Sequence, residues 1–420
     1  MGSCLSGSIG ASSAHESKIP PDFGNGSNNG KRRRLITSSS FDYRMEMKLH
    51  RVPGRFFLNG STEVASLYCK QGRKGVNQDA MLLWENFCSK KDTIFCGVFD
   101  GHGPYGHMVS KKVRDSFPLK LIAQWGLHSI NHDGLSNDAN SSISYKSTET
   151  GSGLVDAKSI ASDHEFDFKT LRRSFLRASK VMDKELKLHH DIDSYCSGTT
   201  AVTLLKQGQD LVIANIGDSR AVLASRDDDD SLIAVQLTTD LKPDLPREAE
   251  RIRLCKGRVF ALENEPRIPR VWLPDINCPG LAMARAFGDF CLKDFGVISV
   301  PDVSHHHLTE KDEFVVLASD GVWDVLSNNE VVNIVASAPR SSAAQTLVES
   351  AVQAWKKKLQ SCKVDDCTVI CLFFDSDSDF KSVYSTDDST SAEQSDIGSM
   401  ISGPKTIVDE VVRVKLEQKT

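Results

Sequence analysis

The sequence predicts an α+β fold built on antiparallel strands, and three observations carry that expectation. Short apolar runs recur through the middle of the chain, among them LVIANIG, AVLAS and LIAVQLT, joined by only two to eight residues. Parallel strands would need crossovers longer than that. A long helical stripe accompanies them: Phe168, Leu171, Phe175, Val181, Met182 and Leu186 fall on one face of Phe168 to His190, with Lys and Arg opposite, so this helix should cover a sheet. Finally, several apolar runs end on Asp-Gly. The clearest is IFCGVFDGHG, Ile94 to Gly103, where a strand delivers Asp100 into a turn flanked by Gly101 and Gly103, with His102 between them.

Composition sets the outer limits. The 420 residues can hold one large or two ordinary domains. Lys plus Arg is 51 against 56 for Asp plus Glu, a net charge of -5, which argues against a general nucleic-acid binder. No apolar run approaches the roughly 20 residues that span a bilayer, and no apolar region of a secretory signal follows the N-terminus. The body is therefore expected in the cytosol or nucleus. Cysteine is odd in number at 11, lacks any CxxC pair and sits in apolar runs at Cys96 and Cys371, which predicts buried free thiols rather than disulfides or zinc.

Taken in order, residues 1–54 read as a flexible leader, with ten Ser and six Gly in the first 40. Its opening, MGSCLS, fits N-myristoylation at Gly2, with Ser6 at the preferred hydroxyl position, and Cys4 is a candidate palmitoyl acceptor. One acyl chain anchors weakly, and Lys31 to Arg34 supplies a basic companion. The leader thus points to the cytoplasmic face of a membrane, the plasma membrane first, besides a cytosolic pool. KRRR read as a nuclear signal keeps the nucleus open.

Residues 55–374 form the expected folded domain, which the resemblance given below implies to be catalytic. EVASLY (Glu63 to Tyr68) and AMLLWEN (Ala80 to Asn86) read as a hairpin, followed by the IFCGVF strand. A helix through Met108, Val113, Phe117 and Leu121 should end or kink at Pro118. Residues 129–165, rich in Ser, Asn, Asp and Thr, read as a surface insertion. The second helix and an antiparallel meander follow. Residues 240–280, with six prolines and little periodicity, read as an extended flap. EFVVLASDGVWDVL supplies another buried strand, helices are predicted at Asn328 to Ala338 and Ala343 to Leu359, and CTVICLFF closes the core near Phe374. Residues 375–420 are an acidic, Ser-rich tail.

Asp79, Asp100, Asp218, Asp320 and Asp365 all stand at strand-to-turn junctions. Carboxylates gathered at one end of packed strands repel, so their joint burial calls for cation charge. All-oxygen ligation favours hard ions, Mg²⁺ or Mn²⁺.

The ordered set QGRKGVNQDA, VFDGHG, SGTTA, ANIGDSRAVL, LAMARAFGD, ASDGVWDVLSN and DDCTVI resembles the metal-dependent serine/threonine protein phosphatases of type 2C, plant members above all, over roughly Ser61 to Phe374. The resemblance implies a four-layer α/β/β/α sandwich of two central antiparallel sheets with helices on both outer faces, and two metal ions at one end. It implies that Asp100 bridges both ions, that the Gly101 carbonyl and Asp79 serve the site, and that Asp320 and Asp365 bind the second ion. Asp218 with Asp320 matches a weaker third position, near Asp324, while Asp366 takes no ligand role. The resemblance further implies attack on phosphorus by a hydroxide held by the two ions, with His102 as the general acid. Two departures stand out: Lys74 occupies the place of a phosphate-holding Arg, and Gln78 that of a Glu. They leave as alternative a catalytically weak pseudophosphatase that binds a kinase. Phosphorylated proteins are the expected substrates and kinases candidate partners, nucleic acid is not expected, and the enzyme should be monomeric. Trp272 reads as flap packing, and His305 to His307 as a solvated loop run.

Overall fold

Apolar residues on both sides of the central strands decide the layering. Along Asp79–Trp84, Leu82 and Trp84 enter one hydrophobic cluster and Met81 and Leu83 another, so neither face of this strand meets water. The structure, a computed structural model, describes residues 48–49, 51–132, 166–358 and 364–374.

The first sheet runs β1 (Arg55–Phe56), β4 (Asp79–Trp84), β5 (Thr93–His102), β7 (Ala201–Gln207), β8 (Asp210–Ile216), β15 (Asp302–His307), and the end of β5 also pairs β6 (Gly198–Thr199), itself paired with β14 (Phe287–Gly288). The second runs β10 (Leu232–Gln236), β9 (Arg220–Arg226), β16 (Asp312–Ala318), β17 (Cys367–Phe373), β3 (Ala65–Lys70), β2 (Gly60–Ser61). Leu67, Met81, Val98, Leu204, Ile213, Leu223, Leu317 and Ile370 from both sheets fill the space between them. Helices α1 (Gly106–His132) and α2 (Phe168–Lys187) cover the outer face of the first sheet, packing Val113, Phe117, Phe175 and Met182 on Leu82, Phe95 and Phe99. Helices α6 (Asn328–Ala336) and α7 (Ala343–Lys358) cover the second, with Val332, Leu347 and Ala351 on Val222, Val316 and Val369. The result is the expected four-layer sandwich.

Several local expectations are corrected. The two strands read as a hairpin do not pair: β3 joins β17 and β4 joins β5, so the chain changes sheets across residues 71–78. The meander breaks the same way, because β8 lies in the first sheet and β9 in the second, with Asp218 in the crossing. Continuous apolar strands carry no alternation from which to infer their sheet. Helix α1 does not end at Pro118 but continues to His132. An interior Pro costs about 3 kcal/mol, but Phe117, Leu121 and Trp125 are all buried, each worth roughly 1.5–3 kcal/mol, so packing outweighs the missing N–H. Val181, placed on the apolar stripe, is 43% exposed.

The stretch read as an irregular flap contains α3 (Pro246–Leu254) and a three-stranded sheet of β11 (Arg258–Ala261), β12 (Pro269–Trp272) and β13 (Pro279–Leu281). Trp272 is buried there, stacked on Phe260 with centroids 5.2 Å apart, and its Nε1 donates to the Phe260 carbonyl, which is the packing role expected. The His triplet is not a loop but the end of edge strand β15, where His305 Nε2 and His307 Nδ1 lie 2.8 and 2.9 Å from Asp210 Oδ1. Two short helices, α4 (Phe290–Lys293) and α5 (Asp320–Trp323), complete the order. Cys96 and Cys371 are buried free thiols. The lipidation pattern, the basic cluster, most of the 129–165 insertion and the acidic tail lie outside the described residues.

Candidate metal centre

Antiparallel registry gathers the acids. Asp79 opens β4 and Asp100 lies near the end of β5, and the two are direct cross-strand partners. Like charges in that relation are destabilising unless something compensates. Asp218 follows β8, Asp320 begins α5 just after β16, and Asp365 precedes β17, so several chain turns at this end of the sandwich contribute a carboxylate. Asp79, Asp218 and Asp320 are buried.

Electrostatics record the crowding. Burial and the neighbouring carboxylates, Asp366 first among them, push Asp79 up to about 8. Burial and Asp320 push Asp365 up to about 6. Asp100 is driven well above the ordinary carboxylate range by burial and by Asp79, Asp320, Asp365 and Asp218. Two lysines answer part of this charge. Lys74 Nζ pairs with Asp365 and Lys242 Nζ with Asp218. Lys242 was not singled out in the sequence, because it comes from the stretch read as featureless. Lys74 is thus placed against a candidate ligand, where Asp365 and Asp320 keep it protonated against the opposing effect of burial.

Behind the acids lies a layer of hydrogen bonds. Ser319 Oγ donates to Asp79 Oδ2 at 2.7 Å and accepts from the Thr368 amide at 3.0 Å, tying the second sheet to the first. Thr200 Oγ1 accepts from the Asp100 amide at 3.0 Å and meets Ser219 Oγ at 2.7 Å. Asp366 accepts from the amides of Gly72 and Gln78 at 2.7 and 2.8 Å, latching the 71–78 crossing to β17. Gln78 Nε2 donates to the Gly103 carbonyl at 2.8 Å, and the Gln78 carbonyl receives the Gly101 amide at 3.1 Å. Gly101 needs to be Gly, since a Cβ there would lie 2.4 Å from the Gly106 carbonyl oxygen and 2.6 Å from that of Gln78. Of these supports only Asp366 and Gln78 drew comment in the sequence, and Ser319, Thr200 and Ser219 gave no signal beyond membership of the quoted motifs.

His102 is buried with its Nε2 2.6 Å from Asp289 Oδ2, while Nδ1 has no protein partner. Burial opposes its charged form, but Asp289 above all, with Asp218 and Asp320 behind it, holds the imidazole above its ordinary range.

The donor chemistry fits hard divalent cations. Carboxylates of this density, with Asp79 held by the neutral Ser319 hydroxyl and Asp218 Oδ1 lacking a protein partner, suit Mg²⁺ or Mn²⁺. Among the described residues the side chains do not close as a group of three or more round one point, two of the acids being held by lysines instead. Among the described residues, no helix is long and apolar enough to cross a membrane.

Comparison with known proteins agrees with this geometry. Residues 65–358 match the family model described as Protein phosphatase 2C. The chain is 58% identical over 397 residues to "Probable protein phosphatase 2C 33" of Arabidopsis thaliana, covering 90% of this chain and 80% of that one. It is 59% identical over 337 residues to "Probable protein phosphatase 2C 14" of Oryza sativa subsp. japonica, covering 80% of this chain and 64% of that protein's length. In fold it is similar to the serine-threonine phosphatase 2C from Toxoplasma gondii, with TM-score 0.64, 24% identity, 77% of this chain and 100% of that one.

Proposed function

Because the chain belongs to the protein phosphatase 2C family and is a protein serine/threonine phosphatase, we propose that it works on phosphoserine and phosphothreonine in proteins through a two-metal centre with His102 as general acid. The observation that carries this reading is the directly opposed pair of buried Asp79 and half-buried Asp100, a repulsive arrangement that makes sense as a cation seat.

Asp100, the Gly101 carbonyl, Asp79, Asp320 and Asp365 would hold two Mg²⁺ or Mn²⁺ ions, and Asp218 a weaker third. Bound there, divalent ions supply acidified water and charge stabilisation for in-line attack on phosphorus. The residues of the chain do the rest. Asp100 and Asp79, fixed by Thr200 and Ser319, set where the attacking water sits. Lys74, on the hinge between sheets, offers its ammonium to the phosphate oxygens as a point charge, without the bidentate grip of an Arg. His102 gives its proton to the departing serine or threonine oxygen, a poor leaving group unless protonated. The absence of a protein nucleophile from the scheme follows from the direct attack of water.

The test is manganese-dependent release of phosphate from a phosphothreonine peptide, alongside calorimetric titration of Mn²⁺. Asp100→Asn and Asp320→Asn should lose both turnover and ion binding. Wild-type Mn²⁺ binding without turnover would instead indicate the weak pseudophosphatase. Attachment to a membrane through Gly2 and Cys4 is a separate proposal that rests on the MGSCLS pattern and the basic cluster behind it.

A further inference from the structure

We infer that Asp289, in the short segment between β14 and α4, is the positioning residue for His102: it fixes the imidazole ring and its tautomer so that Nδ1 is the nitrogen presented to the leaving oxygen. The inference rests on His102 being the general acid, as proposed above.

Four features of the structure converge on this pair. The Nε2 to Oδ2 separation is 2.6 Å and both side chains are fully enclosed, at 2% and 0% exposure, so water does not compete for the contact. The backbone around the pair is shaped to admit it. Gly198 is the cross-strand partner of His102, and a Cβ on Gly198 would sit 2.2 Å from Asp289 Oδ2 and 2.7 Å from His102 Nε2. A methyl group there would push into the hydrogen bond itself. Asp289 adopts the left-handed region, φ 50° and ψ 46°, a conformation uncommon for a residue with a Cβ and one that persists only when surroundings impose it. Those surroundings are evident: the Asp289 amide donates to the Ser197 carbonyl at 3.0 Å, and the adjacent Gly288 amide donates to Asp183 Oδ1 at 3.0 Å, Asp183 being held in turn by Lys293 and Ser299. Asp289 is therefore anchored from helix α2, from the Cys196–Gly198 backbone and from α4, while His102 stands at the end of β5 beside the acids.

The chemical consequence is directional. With Nε2–H committed to Asp289, the ring nitrogen that no protein group engages is Nδ1. As the water oxygen forms its bond to phosphorus, the bond from phosphorus to the serine or threonine oxygen breaks with its electron pair passing to that oxygen. The oxygen takes the proton from Nδ1, and the neutral imidazole left behind keeps its Nε2–H on Asp289. Carboxylate orientation of a catalytic imidazole is a general device, since a ring free to rotate presents the wrong nitrogen for part of the time. A buried ion pair that merely stabilises the fold would leave the reaction indifferent to the leaving group.

That difference supplies the experiment. The full chain, its Asp289→Asn, Gly198→Ala and His102→Ala variants would be assayed with Mn²⁺ on a phosphothreonine peptide, whose alkoxide needs protonation, and on p-nitrophenyl phosphate, whose phenolate does not. His102→Ala should lose about 10²–10⁴-fold in kcat on the peptide and far less on the aryl phosphate. Asp289→Asn and Gly198→Ala should repeat that pattern at about tenfold or more, with KM for the peptide nearly unchanged, and ¹⁵N-histidine spectra should show the His102 ring losing its single tautomer. If His102→Ala fails to discriminate between the substrates, the general-acid reading itself falls. If it discriminates but the folded Asp289→Asn and Gly198→Ala proteins lose equally on both substrates, or lose nothing, the positioning role is wrong while the general acid stands. Should Asp289→Asn not fold, the Gly198→Ala result and the wild-type tautomer decide: a bare Nε2 on His102 would overturn the inference.

Discussion

Replacing Asp100 by Asn should make the metal-free protein more stable and the metal-loaded protein less so. In the fold Asp100 faces Asp79 across β4 and β5, and directly opposed side chains on paired strands lie about 4.5–5.5 Å apart. Two unit charges at that separation in an effective dielectric near 20 repel by about 3 kcal/mol. Burial is the first cause that pushes both carboxyls upward, followed by Asp366 at Asp79 and by Asp79 itself at Asp100. An Asn of nearly equal shape removes this repulsion and keeps the amide bonded to Thr200, so with chelator present it should gain about 1–3 kcal/mol in urea unfolding, part of the full repulsion being relieved already by protonation. Added Mn²⁺ reverses the order. Saturation at about 100 times Kd is worth about 2.7 kcal/mol to the wild type, and nothing comparable is expected of a variant lacking the Asp100 carboxylate. The two unfolding midpoints should therefore cross between chelator and manganese. A variant less stable than wild type under chelator, or stabilised equally by manganese, would refute the reasoning that this carboxylate pair is a cation seat.

Other consequences are more local. Asp366→Ala removes the acceptor for the Gly72 and Gln78 amides and should cost about 1–3 kcal/mol while exposing residues 71–78 to proteolysis, measurable by limited digestion. Glu248 is held below the ordinary range, against the pull of burial, by Arg285 and Arg251, at 2.6 and 2.7 Å. Its contribution is accordingly present above its unfolded value near 4.5 and lost as pH falls through the lower folded value, so Glu248→Gln should be about 1–2 kcal/mol less stable at neutral pH and converge with wild type in acid, as followed by thermal unfolding across pH. Gly2→Ala should shift the protein from membrane to soluble fractions on flotation; unchanged partitioning would remove the lipid proposal.

The strand-ending carboxylates and the helical stripe of Phe168 to Leu186 were legible because they depend on local order: period, turn residues and the placement of Asp beside Gly. So was the buried character of the central strands such as β4, β5 and β17, and with it the existence of a core on both faces. Which strand joins which sheet was not. AMLLW is apolar throughout, so nothing in its pattern says whether its neighbour is the strand before it or the one after it, and the hairpin expected of β3 and β4 became a crossing between sheets, with β4 pairing β5 instead. Pro118 deceived for the complementary reason, its local penalty being overruled by Phe117 and Leu121 packing on a sheet distant in sequence. Asp289 and Lys242 show the limit most clearly: Asp289 closes the run LAMARAFGD and Lys242 sits in a stretch of little periodicity, yet nothing in either says that the one grips an imidazole 187 residues away and the other a carboxylate 24 residues away. The chain by itself determined which chemical groups were available and that they stood at strand ends. Only the packed sandwich, by aligning those ends, decided their neighbours, since contacts between remote segments depend on sheet order, which no local preference encodes.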